Sequence, residues 1–513
     1  MIITVVGAGT TGSFAAAHLK KHFPEHTIRL LHSDEVGTIG VGESVTPPVK
    51  YFMDDLGADE KTWMRDTGSI YKYANCFKNW INDTPTDKQF FAFSYNEPLD
   101  KVLAGDPITF PDIKSVRPNH LRATDVWLDL YLQNKVTDYS KTFNPMYTFM
   151  HHMKAPFIEE EYLGSENFSY AYHVDAEKLG PWVLDNIAFK SGVEEIKGTI
   201  KSVVKHEDVT GGKISKVILT DGREFESDLW IDATGFHRLL IKELTDKTIG
   251  YPHCPANASW VGPMNYVDQD NEMKNYTQSI WQEEGWLFKI GLRNRMGTGL
   301  VFSTDYIDEE EALQKFIKIQ DGRALKDPRL IKWHPCRVDT PAKGNVVAIG
   351  MAAGFVEPME ANALFVTVST IWQLNFAMQQ GMNWDSYNKN VGGAIDDIAD
   401  FLSVHYTLCP RTENTFWREM RELGRQRKDD ERVYEKYMSV KNTIESSSQF
   451  LTIFPDYMWL ELAASWDVDV SKWKKEIPKD ISEDYASYLK DRNWKLNQRA
   501  YSCPNYVEWM KNR

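Results

Sequence analysis

The sequence of 513 residues lacks several features that mark common protein classes. Its five cysteines form no CxxC pair, which argues against a disulfide framework or a thiolate zinc site. No run of eighteen apolar residues is present and no cleavable leader opens the chain, so we expect a cytoplasmic protein that binds no membrane. A net charge of −14 argues against a broad basic face for nucleic acid.

The first thirty residues have the pattern of a dinucleotide-binding unit. Residues 2–6 are a short β-branched run typical of a buried parallel strand. The glycine-rich stretch GAGTTG follows at 7–12, then a helix-forming stretch at 13–19 and a second apolar run at 27–31. This order of strand, glycine turn, helix and strand predicts an α/β fold with a Rossmann-like module.

Each glycine of the turn has a mechanical reason. Gly7 permits the tight turn, Gly9 lets a pyrophosphate approach the backbone, and Gly12 lets the helix pack close to the strand. Thr10 and Thr11 belong to the same turn, and the N-terminus of the helix that follows supplies free N–H groups and partial positive charge to the phosphates. These five residues are therefore predicted to bind the cofactor.

The adenosine end of this site departs from the usual pattern. An acidic residue that bonds the ribose normally lies about 20 residues beyond the turn, and His32 occupies that position. Asp34, Glu35 or His32 itself are the alternatives, and Ser33 is predicted to contact the cofactor.

Two later segments favour FAD over NAD. Residues 229–235 and 345–350 each read as a strand that ends in a small turn, the second at Ile349 and Gly350. Together with the first turn they would bring distant segments onto one extended cofactor. No second glycine fingerprint follows a strand, so a separate NAD(P)H-dependent flavin reductase is the expected partner.

Four motifs resemble those of flavin-dependent halogenases of the tryptophan-halogenase type. The resemblance extends from residue 1 to about 380. The positions at which this sequence departs from the family's motifs indicate a divergent branch of the family, and a viral branch is an open alternative. The motifs are IGVGESVTPP at 39–48, WMR at 63–65, SIYK at 69–72 and GFVEPME at 354–360.

The resemblance implies a reaction and two catalytic residues. Reduced FAD, O2 and a halide (chloride, bromide or iodide) would give hypohalous acid, which travels through a tunnel to a lysine beside an electron-rich aromatic substrate. Lys72 matches that lysine, and Glu360 matches the glutamate that orients it or accepts the ring proton. Lys78 is the rival lysine, and a surface charge is the simpler interpretation of it.

The resemblance also implies cofactor and halide ligands. The backbone at Asn362 and Ala363 would bind the halide, although relatives commonly have Ser-Thr-Gly there and an ordinary helix cap is the alternative. The flavin loop would contribute Ile39, Val41, Gly42, Glu43 and Ser44.

The largest departure concerns the expected substrate wall, Trp286, Phe288 and Ile290. Relatives have Trp-x-Trp-x-Ile-Pro, whereas Phe288 and Gly291 stand here for the second Trp and the Pro. This indicates a roomier wall and leaves tryptophan in doubt as the substrate. An aromatic core strand explains the same residues.

The predicted organisation is an FAD-binding module over residues 1–380, with an added β-sheet layer, and a helical substrate-covering region over 381–513. No metal site is predicted, because Pro24 separates His26 from His18 and His22 and no carboxylate or cysteine is seen to complete the set. A one-component FAD monooxygenase and a non-catalytic flavoprotein are the alternative functions. A homo-oligomer stays open.

Overall fold

The structure is a computed structural model. It describes residues 1–35, 42–92, 123–155, 157–158, 161–162, 170–206, 212–446, 453–466, 468–477 and 479–513. Ile39 and Val41 of the predicted cofactor loop therefore lie outside the described residues.

The strands are short and are distributed over most of the chain. Up to residue 226 they are β1 (Ile2–Val6), β2 (Thr27–His32), β3 (Glu43–Ser44), β4 (Ile70–Lys72), β5 (Ala74–Lys78), β6 (Lys88–Ala92), β7 (Phe157–Ile158), β8 (Glu161–Tyr162), β9 (Ala171–Val174), β10 (Glu194–Lys197), β11 (Ile200–Lys205), β12 (Ile214–Leu219) and β13 (Glu224–Glu226). The remainder are β14 (Leu229–Asp232), β15 (Thr248–Gly250), β16 (Ala258–Met264), β17 (Tyr276–Gln282), β18 (Gly285–Gly291), β19 (Met296–Phe302), β20 (Arg329–Lys332), β21 (Cys336–Val338), β22 (Ala342–Lys343), β23 (Val346–Ala348) and β24 (Gly354–Phe355).

The α-helices become longer and more frequent towards the C-terminus. Before residue 360 they are α1 (Thr10–His22), α2 (Pro48–Asp55), α3 (Glu60–Thr67), α4 (Ala123–Leu132), α5 (Tyr139–Phe143), α6 (Pro145–His151), α7 (Ala176–Val183), α8 (Gln269–Glu272) and α9 (Glu309–Gln320). Thereafter they are α10 (Asn362–Gln379), α11 (Trp384–Thr407), α12 (Thr415–Arg427), α13 (Asp429–Ser446), α14 (Asp456–Ser465), α15 (Lys479–Ser502) and α16 (Tyr506–Asn512).

The chain forms two compact units, each assembled from three stretches. Unit one comprises Met1–Ile70, Ala171–Asn265 and Asn294–Asp400, and unit two comprises Tyr71–Tyr170, Tyr266–Arg293 and Phe401–Arg513. The predicted division at residue 380 follows the order of the chain, whereas these units follow packing. That division stays a prediction about which region contacts cofactor and which covers substrate.

Unit one contains a six-stranded sheet in the order β10-β2-β1-β14-β23-β22. Its neighbours are parallel except for the antiparallel pair β22 and β23. Ile3, Val5, Ile28 and Leu30 have no exposed surface, as expected for a parallel sheet covered by helices. Helix α1 packs against α7 and α10. The predicted α/β fold with a Rossmann-like module is confirmed.

Unit one also holds antiparallel strands, in which β16 pairs with β19 and β20. In unit two, β17 pairs antiparallel with β18 and parallel with β5, and β5 pairs antiparallel with β6. These strands are the predicted added sheet layer. An aromatic cluster fills part of the core of unit two: Trp80 stacks on Trp466 at 5.5 Å, and Phe77 meets the edge of Trp80 at 5.3 Å.

No helix among the described residues is both long enough and apolar enough to cross a membrane.

Candidate active site

The turn between β1 and α1 has the shape that its glycines predict. Gly7 has a φ of +105°, a left-handed conformation that favours glycine, and a Cβ there would lie 2.7 Å from the carbonyl oxygen of Ala233. A Cβ on Gly12 would lie 1.8 Å from the carbonyl oxygen of Gly7. The close approach of helix to strand therefore requires both residues.

Gly9 differs from these two glycines because its surroundings are open. A Cβ at this position would meet no described atom within 4 Å. Gly9 is the N-cap of α1 and provides no side-chain cap, so the first N–H groups of the helix lack the usual side-chain acceptor. Open space in front of a helix N-terminus is the cradle that a pyrophosphate requires.

The end of β23 lies against this cradle, although it is remote in sequence. Gly350 has a φ of +55°, and a Cβ there would lie 2.7 Å from Cγ2 of Thr11. The N–H of Gly350 donates to Oγ1 of Thr370 at 2.9 Å, and the hydroxyls of Thr11 and Thr367 are 2.9 Å apart. The structure thus brings Gly350 and the first turn of α1 together, and cofactor binding by Ile349 and Gly350 stays a prediction.

A buried aspartate that the sequence analysis missed organises the third strand end. Asp232 closes β14, and its Oδ1 accepts from the N–H and the hydroxyl of Thr234. Its Oδ2 accepts from the N–H groups of Leu240 and Ile241, both at 2.9 Å. These bonds fix the turn whose Ala233 carbonyl faces Gly7. The signal was an acidic residue ending a wholly apolar strand.

At the predicted adenosine end, His32 and Ser33 form hydrogen-bonded contacts with neighbouring polar and acidic side chains. Nε2 of His32 lies 3.0 Å from Oε1 of Glu195. The hydroxyl of Ser33 lies 2.7 Å from that of Thr199, which donates to Glu35 at 2.9 Å. Glu195 and Asp34, whose Oδ1 lies 3.7 Å from Nδ1 of His32, thus place carboxylates beside His32, whereas Glu35 bonds to Thr199. Glu195 had not been considered from the sequence.

The described part of the flavin loop enters a short antiparallel pair between β3 and β9. Gly42 has a φ of +141°, and Glu43 and Ser44 form β3. Burial of the Glu43 carboxyl, with the nearby charge of Asp175, raises its pKa to about 7. Asp175 pairs with Arg295 at 2.9 Å. At neutral pH Glu43 therefore titrates between an acceptor and a proton-donating form.

In unit two, Lys72 ends β4 and has no exposed surface. The residues on both sides of it are anchored. The Tyr506 hydroxyl donates to the carbonyl of Tyr71, and the N–H of Tyr73 donates to the carbonyl of Asn275 at 2.7 Å. Lys78, by contrast, ends β5 and is partly exposed. A wholly buried amine on a fixed backbone is the arrangement that active sites use to position a reactive group.

In unit one, Glu360 lies in a strained turn before α10. Glu360 and Ala361 both have a φ of +60°, which is uncommon for residues other than glycine. The side chain of Glu360 is 6% exposed, and Glu357 in the same segment is fully buried. The turn therefore holds two carboxylates away from solvent at the cost of backbone strain.

Asn362 stabilises this turn. Its Nδ2 donates to the carbonyl oxygens of Glu357 and Met359, at 3.1 and 2.6 Å. Ala361, the N-cap of α10, provides no side-chain cap. The side chain of Asn362 thus points back into the turn, and the N-cap residue offers no side-chain acceptor to the N–H groups of the first turn of α10, which include that of Ala363.

Comparison with known proteins decides the family. The family model for tryptophan halogenase matches residues 2–477. The chain belongs to the tryptophan halogenase family. It is thus an enzyme of the flavin-dependent halogenases, as the resemblance implied.

Individual relatives agree with the family match. Tryptophan 7-halogenase RebH from Lentzea aerocolonigenes is 27% identical over 465 residues, which cover 87% of this chain and 84% of that protein. The crystal structure of tryptophan 6-halogenase SttH from Streptomyces toxytricini has a TM-score of 0.81 at 23% identity and covers 100% of both chains. That of a tryptophan halogenase from Shewanella frigidimarina has a TM-score of 0.83 at 22% identity and covers 100% of this chain and 97% of that one. The two structures share the fold of this chain.

The cradle of this tryptophan halogenase family member fits FAD. The open space at Gly9, the uncapped start of α1 and the adjacent Gly350 offer backbone N–H groups and room for a pyrophosphate.

Replacement of Gly9 by alanine tests this assignment without disturbing the fold. Gly9 has ordinary dihedral angles, with φ −66° and ψ 178°, and the added methyl group meets no described atom within 4 Å. We expect unchanged thermal stability and an FAD affinity lower by about tenfold, which corresponds to ~1.4 kcal/mol. Fluorescence titration with FAD measures the affinity, and unaltered affinity would show that the pyrophosphate lies elsewhere.

The predicted substrate wall lies on β18 in unit two. Trp286, Phe288 and Ile290 are each less than 10% exposed, and their alternation places them on one face of the strand. The indole N–H of Trp286 donates to the Tyr406 hydroxyl at 3.1 Å, and Tyr406 stacks on Trp417. Trp286 therefore has a packing role in the halogenase, and a wall function for the three residues stays a prediction.

Proposed function

We propose that this halogenase transfers an oxidised halide to an electron-rich aromatic or indole-like ring, with Lys72 and Glu360 as its catalytic residues. The observation that carries the proposal is the complete burial of Lys72 on a strand whose neighbouring peptide groups are both anchored. A lysine removed from solvent without a function is rare, because its charge costs free energy to bury.

When bound, reduced FAD supplies, with O2 and a halide ion, the two-electron oxidation of the halide to hypohalous acid. The residues proposed to hold FAD are the glycines and threonines of the first turn, Gly42 to Ser44, Ile349 and Gly350. The uncapped N–H groups at the start of α10 are proposed to bind the halide, since a helix N-terminus favours an anion.

Lys72 is proposed to hold and activate the oxidant. Its ammonium group donates a hydrogen bond to the oxygen of hypohalous acid, which makes the halogen more electrophilic. The aromatic carbon attacks the halogen, and the halogen–oxygen bond breaks with its electron pair going to oxygen. The oxygen takes a proton from the ammonium group of Lys72 and leaves as water, and the amine regains a proton when the one lost by the ring is passed on. Because Lys72 has no exposed surface, the oxidant held there meets the substrate before it escapes to solvent.

Glu360 is proposed to accept the proton that the substituted ring carbon must lose. A carboxylate that is only 6% exposed is shielded from bulk water and serves as a base for a proton released nearby. The left-handed conformation of Glu360 and Ala361 fixes the direction of this side chain. Strain at such a turn is a recurrent property of functional sites.

Partner and substrate follow from the same proposal. A separate NAD(P)H-dependent reductase would supply reduced FAD, and the cytoplasm provides NAD(P)H. RebH and SttH are named for tryptophan, but Phe288 and Gly291 favour a different or larger indole-like substrate.

The test is a product profile. The enzyme is incubated with FAD, a flavin reductase, NADH and either chloride, bromide or iodide over a panel of indoles and phenols, and products are identified by mass spectrometry. We expect halogenated products only when reductase and halide are both present.

Two outcomes would contradict the proposal. Hydroxylated products without halogen would indicate a monooxygenase, particularly if NADH is consumed without added reductase. No product from any substrate, with FAD bound and reduced, would indicate a non-catalytic flavoprotein.

A further inference from the structure

Two helices of unit one bring two histidines and one aspartate together at their C-terminal ends. His18 and His22 lie on α1, and Asp55 is the last residue of α2. Nδ1 of His18 lies 3.3 Å from Oδ2 of Asp55, and Nε2 of His22 lies 2.8 Å from the same oxygen. One ligand atom from each residue lies within 4.8 Å of the others.

The spacing suits a metal ion. Residues i and i+4 lie on the same face of a helix, so both imidazole rings point towards α2. Metal bonds to nitrogen and oxygen are about 2.0–2.2 Å long, which puts neighbouring ligand atoms about 2.8–3.6 Å apart for octahedral to tetrahedral geometry. The two distances to Asp55, 2.8 and 3.3 Å, lie within that range.

The buried position of His18 in this cluster is not explained by an ordinary ion pair with Asp55. Its side chain is 1% exposed, and neither ring nitrogen meets hydrogen-bond geometry with any described residue. A buried imidazole nitrogen that meets no hydrogen-bonding partner among the described residues can bind a metal ion through its lone pair.

Aromatic packing holds the His18 ring in place, while the other two residues of the cluster remain accessible from solvent. The His18 ring stacks on Phe52 at 5.3 Å, and Phe52 stacks on Phe14 at 5.0 Å. His22 and Asp55 are 28% and 33% exposed, so an ion can enter from solvent. Lys21 lies 3.4 Å from Oδ1 of Asp55, the oxygen that the histidines do not face, and thus leaves Oδ2 available.

We propose that His18, His22 and Asp55 bind one divalent transition-metal ion such as Zn²⁺, with water in the remaining positions. Two imidazoles and one carboxylate are a ligand set that suits zinc, cobalt and nickel. The carboxylate could not be predicted from the sequence, because Asp55 lies 33 residues from His22 and no local pattern connects them. The ion would tie α1, which begins at the proposed FAD cradle, to α2.

Metal uptake by the full-length protein tests the proposal. Chelator-treated protein is titrated with Zn²⁺ in a calorimeter and with Co²⁺ by visible absorption, and bound metal is counted after dialysis. We expect one equivalent in the wild type, an affinity at least about tenfold lower in His22→Ala and Asp55→Asn, and a Zn²⁺-dependent rise in melting temperature that both variants lose.

His26→Ala is the matched control, because His26 lies beyond the end of α1 and outside the cluster. It should bind metal like the wild type. The proposal is overturned if the wild type takes up no ion, or if all three variants bind as the wild type does, which would mark adventitious binding. His22 is partly exposed, so His22→Ala decides the question even if Asp55→Asn folds poorly.

Discussion

Replacement of Lys72 by alanine is expected to lower the rate of halogenation by about 100-fold or more while FAD binding stays at the wild-type level. The reason is that the amine is proposed to activate the oxidant, whereas the proposed FAD residues do not include β4. The rate is measured by mass spectrometry of product with saturating reductase and halide. FAD affinity is measured on the same preparation by fluorescence.

Two further variants separate chemistry from folding. Lys72→Met keeps the length of the buried side chain and removes the amine, so it should be as inactive as Lys72→Ala while leaving a smaller cavity, and its melting temperature shows whether the fold is kept. Lys78→Ala is the matched control, because Lys78 is partly exposed at the end of the neighbouring strand, and it should retain activity. An active Lys72→Met enzyme would refute the role of the amine.

Replacement of Gly12 by alanine is expected to destabilise unit one by about 3 kcal/mol or more and to abolish FAD binding. The added Cβ would lie 1.8 Å from the carbonyl oxygen of Gly7 and 2.9 Å from its carbonyl carbon. Both are backbone atoms of the turn, so the start of α1 must move away from β1. Denaturant unfolding measures the stability, and flavin fluorescence measures the binding.

Gly393→Ala is the matched control for this experiment. Gly393 lies within α11, is exposed, and would place its new methyl group where no described atom lies within 4 Å. We expect a gain of about 0.5–1 kcal/mol from higher helix propensity, with FAD binding unchanged. If Gly12→Ala were as stable as the wild type, the conclusion that α1 packs closely on the turn would be refuted.

Local patterns predicted the Rossmann-like module well. The apolar run before Gly7 is β1, the stretch after the turn is α1, and the run at 345–350 contains β23. The mostly apolar stretch that follows Ala361 is α10, Asn362–Gln379. These elements have short-range signals, namely β-branched runs, glycine turns and helix periodicity, which do not depend on the remainder of the chain.

Contacts between remote segments could not be predicted in this way. Thr11 meets Thr367 across 356 positions, and Tyr506 meets Tyr71 across 435. Asp55 joins His18 and His22 only because α1 and α2 pack with their C-terminal ends together. No local pattern connects the members of each contact, since the geometry that brings them together arises from tertiary packing.

The backbone strain in the turn before α10 could not be predicted from the sequence either. Glutamate and alanine have no preference for the left-handed region. The residue types at Glu360 and Ala361 therefore do not predict that both have a φ of +60°. The resemblance identified Glu360 as a residue of interest, but the strained turn and its support by Asn362 required the structure.

The anchoring of Tyr71 by Tyr506 has a consequence for biosynthesis. A ribosome adds about 5–20 residues per second, so the strand that carries Lys72 leaves the exit tunnel tens of seconds before its hydrogen-bond partner does. During that interval nascent chains expose an unfinished β-edge, which is a target for chaperones and a site for aggregation. Slow translation or low temperature during recombinant expression should therefore alter the yield of active enzyme more than its total yield.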